Sequence, residues 1–252
     1  MRRLLRVSGT LAIASGLCLL FWSLVVWRWQ DPFTALYTAY QQHRLAADYD
    51  SQLAAYRPLL ALEPPPGSGT HPARHPRLSL SAERRLIARE AKRYGHSLHM
   101  GEPIGRLEIP RIGVHQILVN GTDHDSLTKG PGRYIDSFLP GQGELIYIAG
   151  HRTTYGAPFA HIDRLRPGDV VTIKVPYGTF VYRITRSVIV PADDLGQLRT
   201  PGYEVVKLQA CHPRFFATQR YIAYARPLRV IPAVGRPYAM PVARRAVRAA
   251  AS

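Results

Sequence analysis

Twenty-one consecutive residues, Val7 to Trp27, carry no charge. Such a run has one stable backbone in hydrocarbon, because a helix satisfies its own N–H and C=O groups where the surroundings offer none. At about 1.5 Å of rise per residue it spans a hydrocarbon core of about 30 Å. Arg2, Arg3 and Arg6 precede it, and Arg28 and Asp31 follow. Basic flanks stay in the cytoplasm, so the N-terminus is expected inside and the bulk of the chain outside. Trp22, Trp27 and Trp29 lie in or beside the outer half, where amphipathic rings favour the interface. A cleaved signal peptide fits less well. The run is longer than an ordinary signal core, and no Ala-x-Ala-like site follows before Pro32. The expectation is an uncleaved single-pass anchor in the plasma membrane, with residues 1–30 as cytoplasmic tip and span.

The net charge of +16 is spread along the chain. Acid-free clusters mark both ends, and no single stripe concentrates the excess. That distribution argues against a nucleic-acid partner. It suits a domain that meets anionic lipid headgroups or wall polymers.

The segment after the anchor reads as several parts. Residues 31–57 repeat Leu36, Tyr40, Leu45, Tyr49, Leu53 and Tyr56 at near-helical intervals and read as a helical stalk. Residues 58–80 are rich in Pro and Gly, with Pro64-Pro65-Pro66-Gly67 at their centre. They read as a semi-rigid linker holding a domain off the membrane. From residue 81 a short amphipathic helix is expected, with Ser81 as N-cap, Ile87, Ala91 and Tyr94 on one face, and Gly95 just past its end. Short strand-like runs follow at Ile104–Ile109, Ile112–Val119, Leu145–Ala149, Val170–Val175, Phe180–Val190, Val205–Ala210 and Tyr221–Val230. Pro176-Tyr177-Gly178-Thr179 reads as a hairpin turn, and Gly130-Pro131-Gly132 and Pro140-Gly141 as further turns. Regular short strands of this kind predict an all-β barrel or sandwich over residues 81–231. Residues 232–252, rich in Ala, Arg and Pro, read as a basic, disordered tail.

The chain has two cysteines, and Cys18 lies in the membrane run. Cys211 is thus an unpaired thiol expected outside the cytoplasm, which calls for a chemical reason. It ends the run Val205-Val206-Lys207-Leu208-Gln209-Ala210-Cys211-His212-Pro213. His151 follows another apolar run, Leu145-Ile146-Tyr147-Ile148-Ala149-Gly150, at a strand end. Arg220 opens Arg220-Tyr221-Ile222-Ala223-Tyr224. A thiolate is a nucleophile, and nearby cations favour it. A histidine is a proton-transfer group near neutral pH. An arginine brings a permanent charge and a donor fork for an oxyanion. Ala149, Ala210 and Tyr147 flank these groups and are candidates for substrate contact. Tyr155 and Phe159 read as core or cleft wall. His212 neighbours Cys211 on a strand and is expected to point away from it. His115, His124 and His161 lack metal-ligand spacing, and Asp123-x-Asp125 lacks the further acids of a calcium loop. A turn-capping role suits that pair better, and no metal or cofactor is expected.

In the order and spacing of these motifs the chain resembles the sortases, the cysteine transpeptidases of bacterial cell walls. The resemblance covers about residues 102–231 and includes Ile104-Gly105-Arg106-Leu107-Glu108-Ile109-Pro110, Ala149-Gly150-His151-Arg152, and Cys211-His212-Pro213 through Arg220. Gly150-His151-Arg152-Thr153-Thr154-Tyr155-Gly156 and the Cys-His-Pro triplet look most like the class E group of high-GC Gram-positive bacteria. The resemblance implies a closed eight-stranded sortase-type β-barrel with short helices and an N-terminal transmembrane helix. It implies Cys211 as nucleophile, His151 as general acid/base and Arg220 as the third essential residue. The implied substrates are secreted proteins with a C-terminal LPxTG- or LAxTG-like sorting signal, cut between Thr and Gly. The implied acceptor is the amine of a lipid-linked peptidoglycan precursor. One departure stands out. The family pattern before the cysteine is Thr-Leu-x-Thr-Cys, and this chain has Lys207 and Ala210 in place of the threonines. Those losses suit an alternative reading, a non-catalytic wall-binding or assembly module on the same barrel.

Overall fold

The computed structural model describes residues 2–29, 31–59 and 79–240. The first helix, α1, runs over Arg2–Trp29, and its Arg6–Val25 stretch is long and apolar enough to cross a bilayer, with none of it buried against the rest of the chain. The second, α2, runs over Pro32–Ala55. Asp31 caps it by accepting from the Phe33 N–H at 3.0 Å, and Pro32 occupies the first turn, where its missing N–H costs nothing. The third, α3, runs over Leu80–His96, capped by Ser79 rather than Ser81. Gly95 lies inside its last turn, and Ser97 is the C-cap. A fourth, short helix α4 (His124–Lys129) is capped by Asp123, which accepts from the Ser126 N–H at 3.0 Å. Asp123 thus serves as the cap its sequence pattern suggests.

The strands are β1 (Pro103–Ile109), β2 (Val114–Asn120), β3 (Gly132–Arg133), β4 (Leu145–Ala149), β5 (Val170–Val175), β6 (Gly178–Pro191), β7 (Val205–His212), β8 (Gln219–Pro232) and β9 (Tyr238–Ala239). They pair in the order β6-β5-β1-β2-β3-β4-β7-β8, and β8 pairs back onto β6, closing an eight-stranded barrel. The closing ladder runs from Gly178↔Pro232 to Pro191↔Gln219 with two register shifts, at 181/182 and 184/186. Such bulges let long strands curl through a closed sheet. The core fills the interior with Leu107, Ile109, Ile146, Ile148, Tyr182, Val206, Leu208 and their neighbours. Ile87, Ala91 and Tyr94 of α3 join it, and the Tyr94 hydroxyl donates to the Ile104 carbonyl at 3.1 Å.

Three expectations need correction. The strand β3 occupies part of a stretch that reads as a turn, because two residues are too few to leave a periodic trace. The strand β9 pairs Ala239 with Arg229 and Tyr238 with Val230, so the ordered part of the chain continues past residue 231. Residues 241–252 of the expected tail lie outside the described residues, as does most of the 58–80 linker. Finally, α2 is helical but does not stand clear as a stalk. Leu45 and Tyr49 bury themselves against Ile117 and Val119 of β2, and the Tyr49 hydroxyl donates to the Lys174 carbonyl at 3.2 Å. Tyr56, just past α2, donates to Glu90 of α3 at 2.6 Å. The segments on either side of the linker are therefore in direct contact.

Gln42 supplies the polar part of this docking. Its side-chain amide accepts from the Ile117 N–H at 2.6 Å and donates to the carbonyls of Ile117 and Lys129 at 3.1 and 2.8 Å. The Ile117 groups lie on β2 before β3 begins to pair with it at Val119, and Lys129 ends α4. Without the amide these backbone groups are left partly buried and unpaired. Gln42→Ala is expected to cost about 1–3 kcal/mol and to lower the unfolding midpoint by about 2–4 °C per kcal/mol, measured by circular dichroism on the detergent-solubilised chain. An unchanged midpoint would show that the docking does not depend on this amide.

Candidate active site

Three neighbouring strands bring the predicted residues to one rim. β4 and β7 are parallel, with Ala149 level with Gln209. The Gly150 N–H continues the ladder by donating to the Gln209 carbonyl at 3.0 Å. His151 and Cys211 each lie two residues beyond that last pair, so they leave the sheet at the same edge. β8 runs antiparallel to β7 and sets Arg220 directly opposite Cys211. Such cross-strand partners have Cα atoms about 4.5–5.5 Å apart.

Alternation decides which way each side chain faces. In β7, Val206, Leu208 and Ala210 enter the core. Lys207, Gln209 and Cys211 therefore face the outer wall of the barrel. Cys211 is a free, partly exposed thiol. Ala210 is fully buried inside the barrel, which corrects its expected place in substrate contact: its methyl group is on the wrong face of the strand. Tyr147 and Ala149 share the outer face with Cys211 but are themselves buried. The Tyr147 hydroxyl donates to the Gln209 side-chain oxygen at 2.7 Å, and its ring packs in a cluster with Leu145, Val205, Tyr134 and Leu198. Both residues form floor and wall beneath the surface.

The two departures from the Thr-Leu-x-Thr-Cys pattern also have structural accounts. Where the pattern has a threonine, Ala210 lacks both the hydroxyl and the γ-methyl, and it sits in an apolar interior. Lys207 donates from Nζ to the Gln197 carbonyl at 2.5 Å and lies 5.4 Å from the Tyr224 ring centre. It thereby ties the short 3₁₀ turn Leu195–Leu198 to the outside of β7. Burial lowers the Lys207 pKa, with Arg186 adding to the effect.

His151 is half-buried and its Nε2 atom makes no hydrogen bond among the described residues. A buried polar atom without a partner is uncommon and calls for a functional reason. The segment after it turns back sharply, and the Phe159 N–H donates to the His151 carbonyl at 3.0 Å. This return needs Gly150: a Cβ there would sit 2.7 Å from the Phe159 ring. Tyr155, Gly156 and Ala157 are all left-handed, with φ of 52°, 67° and 38°. For the two non-glycine residues that conformation costs about 1–3 kcal/mol each and persists only where the surroundings impose it. The Tyr155 ring lies 5.1 Å from the His151 ring and 6.0 Å from that of His124.

Arg220 donates from one terminal nitrogen to the carbonyls of Ala217 and Gln219, at 2.7 and 2.9 Å. Its remaining N–H groups make no hydrogen bond among the described residues and complete a donor fork beside the thiol. Arg152 is a residue that sequence reasoning passed over. It is buried, donates to the Cys211 carbonyl at 3.2 Å, contacts His212 Nδ1 at 3.0 Å and pairs with Asp163 at 3.1 Å. It thus bolts the segment after His151 to the end of β7. Its position directly after His151 was the available signal, but its partners lie far along the chain. His212 is occupied by Arg152 and faces Tyr221, away from the thiol's side of the strand. Among the described residues no group of three or more His, Cys, Asp or Glu side chains is arranged to hold a metal.

Burial pushes the His151 pKa below its usual 6.5, and the nearby His124 charge lowers it further. The unfolded chain therefore takes up this proton first. The group costs stability as pH falls below about 6.5 and costs nothing at neutral pH and above. His124→Gln is expected to move the His151 titration upward, followed by NMR of the ring carbons. A titration that stays in place would remove His124 as a cause.

The sortase domain family matches residues 107–228. Over 131 residues the chain is 37% identical to Sortase D of Bacillus subtilis, covering 50% of this chain and 64% of that protein. Over 152 residues it is 27% identical to Sortase SrtE1 of Streptomyces coelicolor, covering 54% of this chain and 43% of that protein. In both cases the match spans less than two thirds of the relative. A solved structure of a Clostridium perfringens Sortase D5 transpeptidase is 27% identical with a TM-score of 0.51, covering 56% of this chain and 88% of that one.

Proposed function

We propose that the chain, whose residues 107–228 match the sortase domain, is a membrane-anchored cysteine transpeptidase of the sortase family acting on secreted proteins with a C-terminal sorting signal. The observation that carries the reading is the meeting of Cys211, Arg220 and His151, whose Nε2 has no hydrogen-bond partner among the described residues, at one rim of the barrel.

The steps follow from those groups. The Cys211 thiolate attacks the threonine carbonyl of a Thr–Gly bond, and the carbonyl π pair moves onto oxygen. The free donors of Arg220 stabilise that oxyanion; one such donor contributes about 2.7–4 kcal/mol. As the oxyanion collapses the C–N bond breaks, and protonated His151 gives its proton to the departing glycine nitrogen. A thioester between Cys211 and threonine remains. The amine of a lipid-linked peptidoglycan precursor then attacks the thioester carbonyl. Neutral His151 takes the amine's proton, and the C–S bond breaks to restore the thiolate. The first half-reaction needs protonated His151, whose population declines as pH rises through its lowered pKa.

The helix α1 is the anchor in this reading. It keeps the N-terminus cytoplasmic and the barrel on the outer side of the plasma membrane, where both substrates arrive. The class E resemblance of the Gly150–Gly156 motif favours LAxTG-type signals. The 37% identity to a Sortase D over its matched region makes class D the competing assignment.

Fluorogenic LPxTG and LAxTG peptides offered to the full chain in detergent test the proposal. Cleavage of at least one is expected, with a Cys211-linked acyl adduct in the mass spectrum. Cys211→Ala is expected to abolish the adduct, and Arg220→Ala to lower kcat by about 10²–10³-fold. A folded protein that cleaves neither peptide would overturn the assignment.

A further inference from the structure

The first turns of α2 reach the strained segment behind His151. The Thr34 hydroxyl accepts from the Tyr155 N–H at 2.9 Å and donates to the Asp31 carbonyl at 3.3 Å. Thr38, one turn on, is buried. Its hydroxyl donates to the Thr128 carbonyl at 2.7 Å, and its side chain lies beside Gly156. Gln42, a further turn on, holds Ile117 and Lys129. Thr34, Thr38 and Gln42 are spaced by four, so they form one polar stripe along the docked face.

That stripe meets the barrel where the backbone needs support. Tyr155 and Ala157 are non-glycine residues in the left-handed region, with Gly156 between them. Such geometry relaxes unless neighbouring groups hold it. The Tyr155 N–H has its partner on α2. The ring of the same residue packs on His151, while His151 Nε2 has no partner among the described residues. The orientation of the His151 ring therefore depends on a contact made by a helix more than a hundred residues upstream, and that helix begins at Pro32 just after α1 ends at Trp29.

We propose that α2 is a positioning element for His151, with Thr34 acting through Tyr155 to hold the imidazole at the rim beside Cys211. The proposal rests on the reading of His151 as the proton-transfer group. Its consequence is that the membrane-proximal helix is part of the catalytic apparatus as well as a tether.

The test uses the full chain in detergent and compares Thr34→Val, which removes the acceptor, with Thr34→Ser, which keeps it. For Thr34→Val, kcat is expected to fall on the order of fivefold, with KM close to wild type and the chain still folded. The His151 titration, read by NMR, is expected to move toward 6.5 as the ring becomes better solvated. Thr34→Ser is expected to retain wild-type values. Tyr155→Gly relieves the backbone and removes the ring, so adding Thr34→Val to it is expected to cause no further loss. A wild-type kcat and His151 titration in Thr34→Val, or independent losses in the double variant, overturn the proposal. Full activity in His151→Ala would instead overturn the catalytic reading, and the NMR titration would still decide whether α2 positions the ring.

Discussion

Parallel strands deliver their C-terminal ends to the same edge of a sheet, and β4 and β7 are parallel. The candidate site depends on this pairing. His151 and Cys211 are 60 residues apart in sequence, with β5 and β6 between them, and neither segment fixes the position of the other locally. Their meeting requires the long connection through β5 and β6 to return the chain beside β4, where β7 pairs with it from Leu145↔Val205 to Ala149↔Gln209. β8 then returns antiparallel to β7 and brings Arg220 opposite the thiol. The three groups converge because of strand direction, and their loops need only cap the result.

Polar contacts then stiffen the rim. Arg152 links the segment after His151 to the Cys211 carbonyl and to Asp163. It is buried, so its loss would leave the acceptors it serves without a partner in a site of low polarity. Arg220 is held by the carbonyls of the loop that precedes it, which fixes its fork without using all of its donors. Burial keeps His151 from holding its proton strongly, and α2 approaches it from behind through Tyr155. Each of these constraints comes from a different element, and together they hold a strained segment at the edge of the barrel.

Particular residues separate what was legible in the chain from what was not. The seven longer strands carry the period-two alternation and apolar runs that strands require, and their motifs carried the family resemblance. The two-residue strands β3 and β9 are too short for any periodicity to mark them. Ser79 and Ser81 are both plausible caps at two-residue spacing, and only backbone geometry selects Ser79. The apolar residues of α2 were visible, but their partners, Ile117 and Val119, looked like ordinary strand residues. Ala210 flanks the thiol in sequence; its neighbours alternate, and the interior lies on its side.

The sequence by itself determined that an apolar helix precedes a β-rich domain, and that an unpaired cysteine, a histidine and an arginine stand at the ends of strand-forming runs. These are properties of local composition and spacing, which covalent order carries directly. Only the tertiary structure decided which face of β7 the thiol takes, that Ala210 is core, that Arg152 binds the end of β7, and that α2 lies against the barrel. Those outcomes depend on register and closure between segments far apart in the chain. Local periodicity specifies a strand's two faces but leaves open which of them the barrel encloses.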